Sequence, residues 1–106
     1  MSRNIIYLHG LASSPGSKKA AYFCERFTRH EINFRVPDLN VPDFEHLTLT
    51  AMLERLAQEV RDCPPGPVYL IGSSLGGLAG LHFADRYQEA EARRAAEEEI
   101  ERLRAR

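Results

Sequence analysis

Apolar residues along this chain form two kinds of pattern, and the two kinds alternate. Short, nearly continuous apolar runs lie at residues 4–8, 33–36 and 68–71, and the second run is the weakest. Runs of this length, ended by glycine, proline or a polar residue, predict strands that are buried on both faces of a parallel sheet. The sequence therefore predicts three strands.

Between these strands, apolar residues recur at the spacing of a helix face. The pattern predicts one helix at residues 18–31, with Ser17 as its cap, and a second at about 48–62 that stops at the proline-rich stretch 63–67. A third helix begins near Leu75. The predicted apolar faces are Ala20, Phe23, Cys24 and Phe27 in the first helix, and Leu49, Met52, Leu53, Leu56 and Val60 in the second.

The predicted order of elements is strand, helix, strand, helix, strand, helix. Strands that alternate with amphipathic helices favour right-handed crossovers and a parallel sheet, so the predicted class is α/β with three layers. We expect the strand order second, first, third (2-1-3), which places the first and third strands side by side. Their carboxyl ends then flank the crevice where folds of this class bind ligands.

The last part of the chain, residues 88–106, differs in composition from the rest. It is rich in Ala, Glu and Arg, which form helices well, and it places Glu89 and Arg93 at the favourable i, i+4 spacing. Residues 1–87 are therefore predicted as one α/β unit and residues 88–106 as a charged helical extension. A solvated continuation of the third helix and a coiled-coil partner are both open, although the apolar stripe is thin.

Composition and charge narrow the classes of function. The chain has 106 residues and a net charge of −1. That charge attracts neither nucleic acid nor an anionic membrane, and no apolar run reaches the roughly 20 residues of a membrane span. Because the N-terminus has no signal-peptide pattern, we expect a cytoplasmic protein. Cys24 and Cys63 lie far apart without metal-type spacing, so we expect two reduced, partly buried thiols and no metal.

The segment GSSLG at residues 72–76 follows the third predicted strand and opens the third helix. It matches the G-x-S-x-G pattern of a nucleophile elbow, in which a strained turn holds a serine above the sheet. The turn is so tight that larger residues would collide beside the serine. The pattern predicts that Ser74 presents its hydroxyl at a helix N-terminus, where backbone amides favour negative charge. The alternative is a plain strand–helix turn, with Gly72 and Gly76 present only for packing.

A second candidate feature follows the first strand, where the chain continues with His9, Gly10 and Leu11. In acyl-transfer enzymes of this architecture, one oxyanion donor comes from a loop after such a strand. With the strand order 2-1-3, the backbone amides of Leu11 and Leu75 are expected to face one developing oxyanion. We interpret His9 as a residue that shapes this loop rather than one that transfers protons.

Taken together, these stretches resemble one family. The segments IIYLHGLASSPGSKKA and VYLIGSSLGGLAGLHFA are similar to those of YqiA-like bacterial esterases of the alpha/beta-hydrolase superfamily. The resemblance implies that Ser74 is the nucleophile and that Leu75 supplies one oxyanion amide. The other donor would come from the loop formed by His9, Gly10 and Leu11. The implied activity is hydrolysis of small carboxylic esters, with no metal or cofactor.

The resemblance covers residues 3–87 and implies only the N-terminal half of a hydrolase fold. In that fold the nucleophilic serine is followed along the chain by an acid and then by a histidine. After Ser74, the only histidine and aspartate are His82 and Asp85, which a helix places roughly 12 and 16 Å along its axis from the serine. We expect His82 to face the sheet or to lie at its boundary.

Several alternatives for the missing acid and base are open. His46 and Asp43, in the loop before the second helix, form a rewired set with Ser74 in one of them, and a second chain supplies both groups in another. In a third alternative the chain is a truncated or engineered fragment, or a non-catalytic interaction module. Such a chain would form a homo-oligomer through its sheet edge or through residues 88–106. A phosphate-binding loop at residues 10–18 is disfavoured, because its two glycines are separated by five residues and serine precedes lysine.

Overall fold

The fold is built on three short parallel strands. The computed structural model describes residues 3–105 of the chain. The strands are β1 (Asn4–Leu8), β2 (Asn33–Arg35) and β3 (Val68–Gly72). They form one sheet in the order β2-β1-β3, in which the central strand β1 pairs in parallel with both neighbours. The predicted α/β class and strand order are confirmed, and β1 and β3 lie side by side.

Three helices follow the strands in turn. They are α1 (Lys18–Arg29), α2 (Leu49–Asp62) and α3 (Leu75–Arg104), and a 3-10 turn, Phe44–His46, lies in the loop between β2 and α2. The first helix is shorter than the predicted span 18–31, because the backbone of Glu31 takes a φ of 58° that no right-handed helix contains. Apart from the end of α3, the other boundaries lie within one residue of the predicted ones.

Side-chain caps fix where the first two helices begin. The Ser17 hydroxyl accepts a hydrogen bond from the Ala20 N–H at 3.1 Å, which confirms the predicted cap of α1. Thr48 caps α2 in the same way and accepts from the Ala51 N–H at 3.1 Å. A cap of this kind stabilises a helix by about 1 kcal/mol. At the start of α3, in contrast, the Ser74 side chain makes no such bond.

The two faces of the sheet are covered by different cores. Successive residues of a strand point to opposite faces, so Tyr7 of β1 packs on the α1 face, whereas Ile6 and Leu8 pack on the face covered by α2 and α3. On the α1 face, aromatic rings have centroids 5.5 to 6.5 Å apart. These rings belong to Tyr7, Phe23, Phe27 and Phe34. The buried core of the other face consists of Ile6, Leu8, Leu39, Met52, Leu56 and Ala79.

A buried asparagine ties the N-terminal ends of the strands to the proline-rich turn before β3. The Asn4 side-chain amide donates to the carbonyl oxygens of Pro64 at 3.0 Å and Pro67 at 3.2 Å. Its oxygen accepts from the Asn33 amide of β2 at 2.9 Å. A fully buried polar residue in a strand is therefore hydrogen-bonded on both its nitrogen and its oxygen, as buried polar groups generally are.

The two cysteines are free thiols in different surroundings. Cys24 is exposed, which corrects the expectation of a partly buried thiol; the aromatic rings of α1 occupy the face that meets the sheet. Cys63, after α2, is half-buried. Burial raises the pKa of the Cys63 thiol from its ordinary value of 9.0; the nearby Arg35 lowers it, and the carboxylates of Glu59 and Asp62 raise it further.

The third helix runs far past the sheet. Its 30 residues correspond to about 45 Å at 1.5 Å per residue, and every residue from 85 to 105 is exposed. Within this stretch Arg94 pairs with Glu91, and no ion pair joins Glu89 to Arg93, although the sequence favours one. The predicted end of the helix at residue 106 lies outside the described residues. No helix within residues 3–105 has both the length and the apolar character that crossing a membrane requires.

Candidate active site

The turn between β3 and α3 holds Ser74 in an unusual backbone conformation. Its φ is 54° and its ψ is −121°, in a region that residues with a side chain rarely adopt. Strain of this kind costs about 1–3 kcal/mol and persists only where the surroundings impose it. The residue is exposed and its side chain does not cap the helix, so the hydroxyl stands at the surface above the sheet.

The glycines on both sides of the serine are required by space. A Cβ atom on Gly72 would lie 2.4 Å from the Cα atom of Gly77. A Cβ atom on Gly76 would lie 2.1 Å from the carbonyl oxygen of Leu8 in β1. Real Cβ atoms do not approach backbone so closely, since packing at this density leaves no room for even one methyl group. The first turn of α3 is therefore pressed against both β3 and the end of β1.

The loop that follows β1 lies directly beside this turn. The Ser73 N–H donates to the Leu8 carbonyl oxygen at 3.0 Å, which joins the two strand ends. A Cβ atom on Gly10 would lie 3.3 Å from the Cβ atom of Ser74 and 3.2 Å from the Ser73 carbonyl oxygen. The structure thus brings together the two segments that the sequence singles out, residues 9–11 and 72–76.

Two backbone amides in these two segments have no partner. Within residues 3–105, neither the Leu11 N–H nor the Leu75 N–H donates a hydrogen bond, whereas the Gly76 N–H donates to the Ser73 carbonyl oxygen at 2.9 Å. The Leu75 amide belongs to the first turn of α3, where the helix dipole favours negative charge. Amides left without acceptors at a helix N-terminus are suited to bind an anion or a developing oxyanion.

The imidazole of His9 is turned away from solvent and bonded to backbone. Only 2% of the residue is exposed. Its Nδ1 lies 3.0 Å from the Gly10 carbonyl oxygen, and its Nε2 lies 2.9 Å from the Leu39 backbone nitrogen. A backbone N–H only donates, so Nε2 carries no proton, and the proton of the neutral ring is on Nδ1. The Asp38 carboxylate, 3.6 Å from Nε2, is too distant for a hydrogen bond.

The sequence assigned Leu39 only to a loop, yet its side chain belongs to the buried core and its amide holds His9. The neighbouring Asn40 donates from its side chain to the Ser13 carbonyl oxygen at 3.0 Å. The loop before α2 is therefore fastened to the loop after β1 at two points. The sequence signal that could have indicated a buried Leu39 is the alternation of apolar and polar residues between Pro37 and Pro42.

The sequence offers Asp43, His46 and His82 as candidate acids and bases for Ser74. Asp43 and His46 pair with each other at 2.8 Å between Oδ1 and Nδ1, both are exposed, and Asp43 also caps the 3-10 turn. His82 is exposed on α3, which corrects the expectation that it faces the sheet or lies at its boundary, because Gly76, Ala79 and Gly80 occupy that face. Within residues 3–105, no histidine or carboxylate side chain hydrogen-bonds to the Ser74 hydroxyl.

An apolar groove of about 850 Å³ follows the outer edge of β3. On its other edge β3 pairs with β1, whereas this outer edge pairs with no strand within the described range. The groove lies between β3 and α3, and Tyr69 and Leu81 are 54% and 73% exposed there. Its floor reaches Gly72 and Gly77, at the base of the serine turn. In residues 3–105, no three or more His, Cys, Asp or Glu side chains are grouped so as to hold a metal ion.

The fold and site define an α/β protein in which a strained strand-to-helix turn exposes a serine next to unpaired backbone amides. The family described as "Uncharacterised protein family (UPF0227)" matches the chain over residues 4–92, so the chain belongs to this family. A search of curated proteins found no match. The family is compatible with a hydrolase-like protein, and its description assigns neither an activity nor a catalytic residue.

Proposed function

We propose that this chain is an esterase-type acyl-hydrolase domain in which Ser74 is the nucleophile. The conformation of that residue supports the proposal most strongly: a serine with a φ of 54° is exposed between a strand and a helix. A surface serine with no chemical role would gain stability by relaxing to an ordinary conformation. The unpaired amides of Leu11 and Leu75 are the second support, because donors without an acceptor are available to stabilise a developing oxyanion.

The proposed reaction is acyl transfer from a small carboxylic ester. The serine oxygen attacks the ester carbonyl carbon, and the carbonyl oxygen becomes the oxyanion that the two amides stabilise. Collapse of this intermediate breaks the bond to the alcohol, which leaves with a proton, and an acyl-serine remains. Water then releases the carboxylic acid and restores the serine. A general base must accept the serine proton. The proposal assigns the nucleophile and the oxyanion donors to this chain, and no residue of it as that base.

A fluorophosphonate probe tests the proposal, because it reacts with activated serines and places its phosphoryl oxygen where the oxyanion would be. The wild-type protein is expected to be labelled at Ser74, and Ser74→Ala is expected to lose the label. Ser73→Ala is the matched control, since the neighbouring side chain makes no hydrogen bond in the turn. Labelling that persists in Ser74→Ala contradicts the proposal. Release of p-nitrophenol from its acetate then shows whether labelling is accompanied by turnover.

A second candidate function is a non-catalytic interaction module that binds through the edge of β3. The observation in its favour is the apolar groove along that edge, with Tyr69 and Leu81 largely exposed. Unpaired strand edges readily pair with another chain. Absence of any label at Ser74, together with a size-exclusion volume that depends on protein concentration, would favour this candidate. Removal of residues 88–106 tests whether the helical extension takes part.

A further inference from the structure

We propose that His9 is a positioning residue for the oxyanion site: its neutral ring fixes the direction of the Leu11 N–H. This inference rests on the proposed function, because it assigns a role to a group beside the proposed nucleophile. It is distinct from general-base chemistry. Both ring nitrogens are bonded to backbone groups and the residue is 2% exposed, so neither nitrogen is free to accept the serine proton.

The first step of the argument concerns the Gly10 carbonyl. Its oxygen accepts two hydrogen bonds, one from the His9 Nδ1–H at 3.0 Å and one from the Ser13 N–H at 3.1 Å. A peptide unit is planar and trans, so its C=O and N–H point in opposite directions. Holding the Gly10 oxygen on one side therefore holds the Leu11 N–H on the other.

The second step concerns where that other side lies. Gly10 is the residue of the loop that lies against the serine turn, with its hypothetical Cβ atom 3.3 Å from the Cβ atom of Ser74. The Leu11 N–H belongs to the same peptide unit as the Gly10 carbonyl, and within residues 3–105 it donates to nothing. Its amide is thus fixed in direction, one residue from the contact between Gly10 and Ser74, and without an acceptor. Those are the properties of a preorganised oxyanion donor.

The third step concerns the ring itself. A ring that positions a carbonyl must be held in turn, and the Leu39 N–H at 2.9 Å from Nε2 holds it. Leu39 is 2% exposed and belongs to the hydrophobic core, so this anchor is rigid. The same bond sets the tautomer, because an N–H donor at Nε2 leaves the proton on Nδ1, where it meets the Gly10 oxygen.

The turn after Gly10 shows why an outside anchor is needed. It contains Ala12 with a φ of 60°, a conformation that a residue with a Cβ atom adopts with strain. A loop of this kind keeps one conformation only when contacts from elsewhere impose it. The ring of His9 and the side chain of Asn40, which donates to the Ser13 carbonyl oxygen, supply such contacts from outside the turn.

Two substitutions of His9 distinguish the roles of the two ring nitrogens. In His9→Asn, the side-chain amide lies near the site of Nδ1 and keeps a hydrogen-bond donor to the Gly10 carbonyl. In His9→Gln, the polar group lies near the site of Nε2 and keeps only the contact with the Leu39 N–H. We expect His9→Gln to slow fluorophosphonate labelling by about a hundredfold, the typical effect of losing one oxyanion donor. His9→Asn should stay within a few-fold of wild type. His82→Asn is the matched control on exposed surface and should label at the wild-type rate.

All variants are compared at a temperature where circular dichroism shows each to be folded. Equal losses in the Asn and Gln variants would contradict the inference, because a merely structural role would not distinguish the two ends of the ring. A probe-free measurement decides independently. Two-bond proton–nitrogen correlations of His9 in the wild-type protein should show the proton on Nδ1, and a ring protonated on Nε2 overturns the inference. Failure of the wild type to label contradicts the proposed function instead, and the tautomer measurement then still tests whether the His9 ring holds the Gly10 carbonyl.

Discussion

At the N-terminal end of the sheet, Asn4 is buried and hydrogen-bonded to the Pro64 and Pro67 carbonyls and to Asn33. At the C-terminal end, Ser74 has a positive φ, and the amides of Leu11 and Leu75 donate to nothing within residues 3–105. Both ends belong to the same three strands, and both join the sheet to glycine- or proline-rich turns.

The difference between the two ends separates stability from function. Hydrogen-bonded polar groups at the N-terminal end contribute to folding, whereas strained backbone at the C-terminal end costs folding free energy. In open α/β sheets, ligands bind at the carboxyl ends of the strands. We therefore expect substitutions at the N-terminal end to change stability with little effect on labelling of Ser74. Substitutions at the C-terminal end should change labelling strongly, even where they stabilise the fold.

The largest effect is expected at Gly76, at the C-terminal end of the sheet, where the first turn of α3 is pressed against the end of β1. Gly76→Ala would place a Cβ atom 2.1 Å from the Leu8 carbonyl oxygen, so we expect a loss of about 3 kcal/mol or more in the free energy of unfolding. Urea denaturation measures it. Gly16→Ala is the matched control, because its Cβ atom would meet nothing closer than the Ser14 Oγ at 3.9 Å. Similar losses in both variants would contradict the tight contact.

Asn4→Ala sharpens the comparison from the N-terminal end. It removes the donor to the Pro64 and Pro67 carbonyls and the acceptor of the Asn33 amide, and should cost about 2–3 kcal/mol. Labelling of the folded protein should stay within about twofold of wild type. The matched variant at the other end is Asn40→Ala, which unfastens the loop at Ser13, and should cost about 1 kcal/mol but slow labelling more. Slower labelling in Asn4→Ala than in Asn40→Ala would contradict the difference between the two ends of the sheet.

Ser74→Gly tests the strain directly. Glycine adopts a positive φ without strain, so we expect the unfolding free energy to rise by about 1 kcal/mol while labelling disappears. Ser74→Ala keeps the Cβ atom, and should lose the label without gaining stability. Thermal unfolding of the two variants beside wild type provides the measurement. If Gly and Ala gave the same stability, the positive φ of this residue would not be a source of strain.

The smallest effect concerns Cys63 in the turn that Asn4 holds. Its pKa in the folded protein is raised above 9.0, mainly by burial, so the unfolded chain loses the thiol proton first as the pH rises. The stability that the protonated thiol contributes is fully present below pH 9.0 and is lost as the pH rises through the raised value. Urea midpoints measured from pH 8 upward should fall more in wild type than in Cys63→Ala. Cys24→Ala, an exposed-thiol control, should follow wild type.

The class of fold and the place of the serine turn could be predicted from local patterns. Strand and helix periodicities, the cap at Ser17 and the GSSLG segment each depend on residues close together in the chain. Local patterns do not predict the burial of side chains whose surroundings come from distant segments of the chain. Cys24 and His82 were expected to be at least partly buried, and both are exposed because other residues of their helices occupy the face that meets the sheet.

The candidate site shows the same division. The sequence by itself determined that glycines surround a serine between a strand and a helix, because only glycine fits so tight a turn. Only the tertiary structure decided that His9 bonds to Leu39 and that the Gly10 loop lies beside Ser74, since these partners are 30 and 64 residues apart along the chain. Hydrogen bonds and packing over such separations form when the strands align, and no local pattern of residues encodes them.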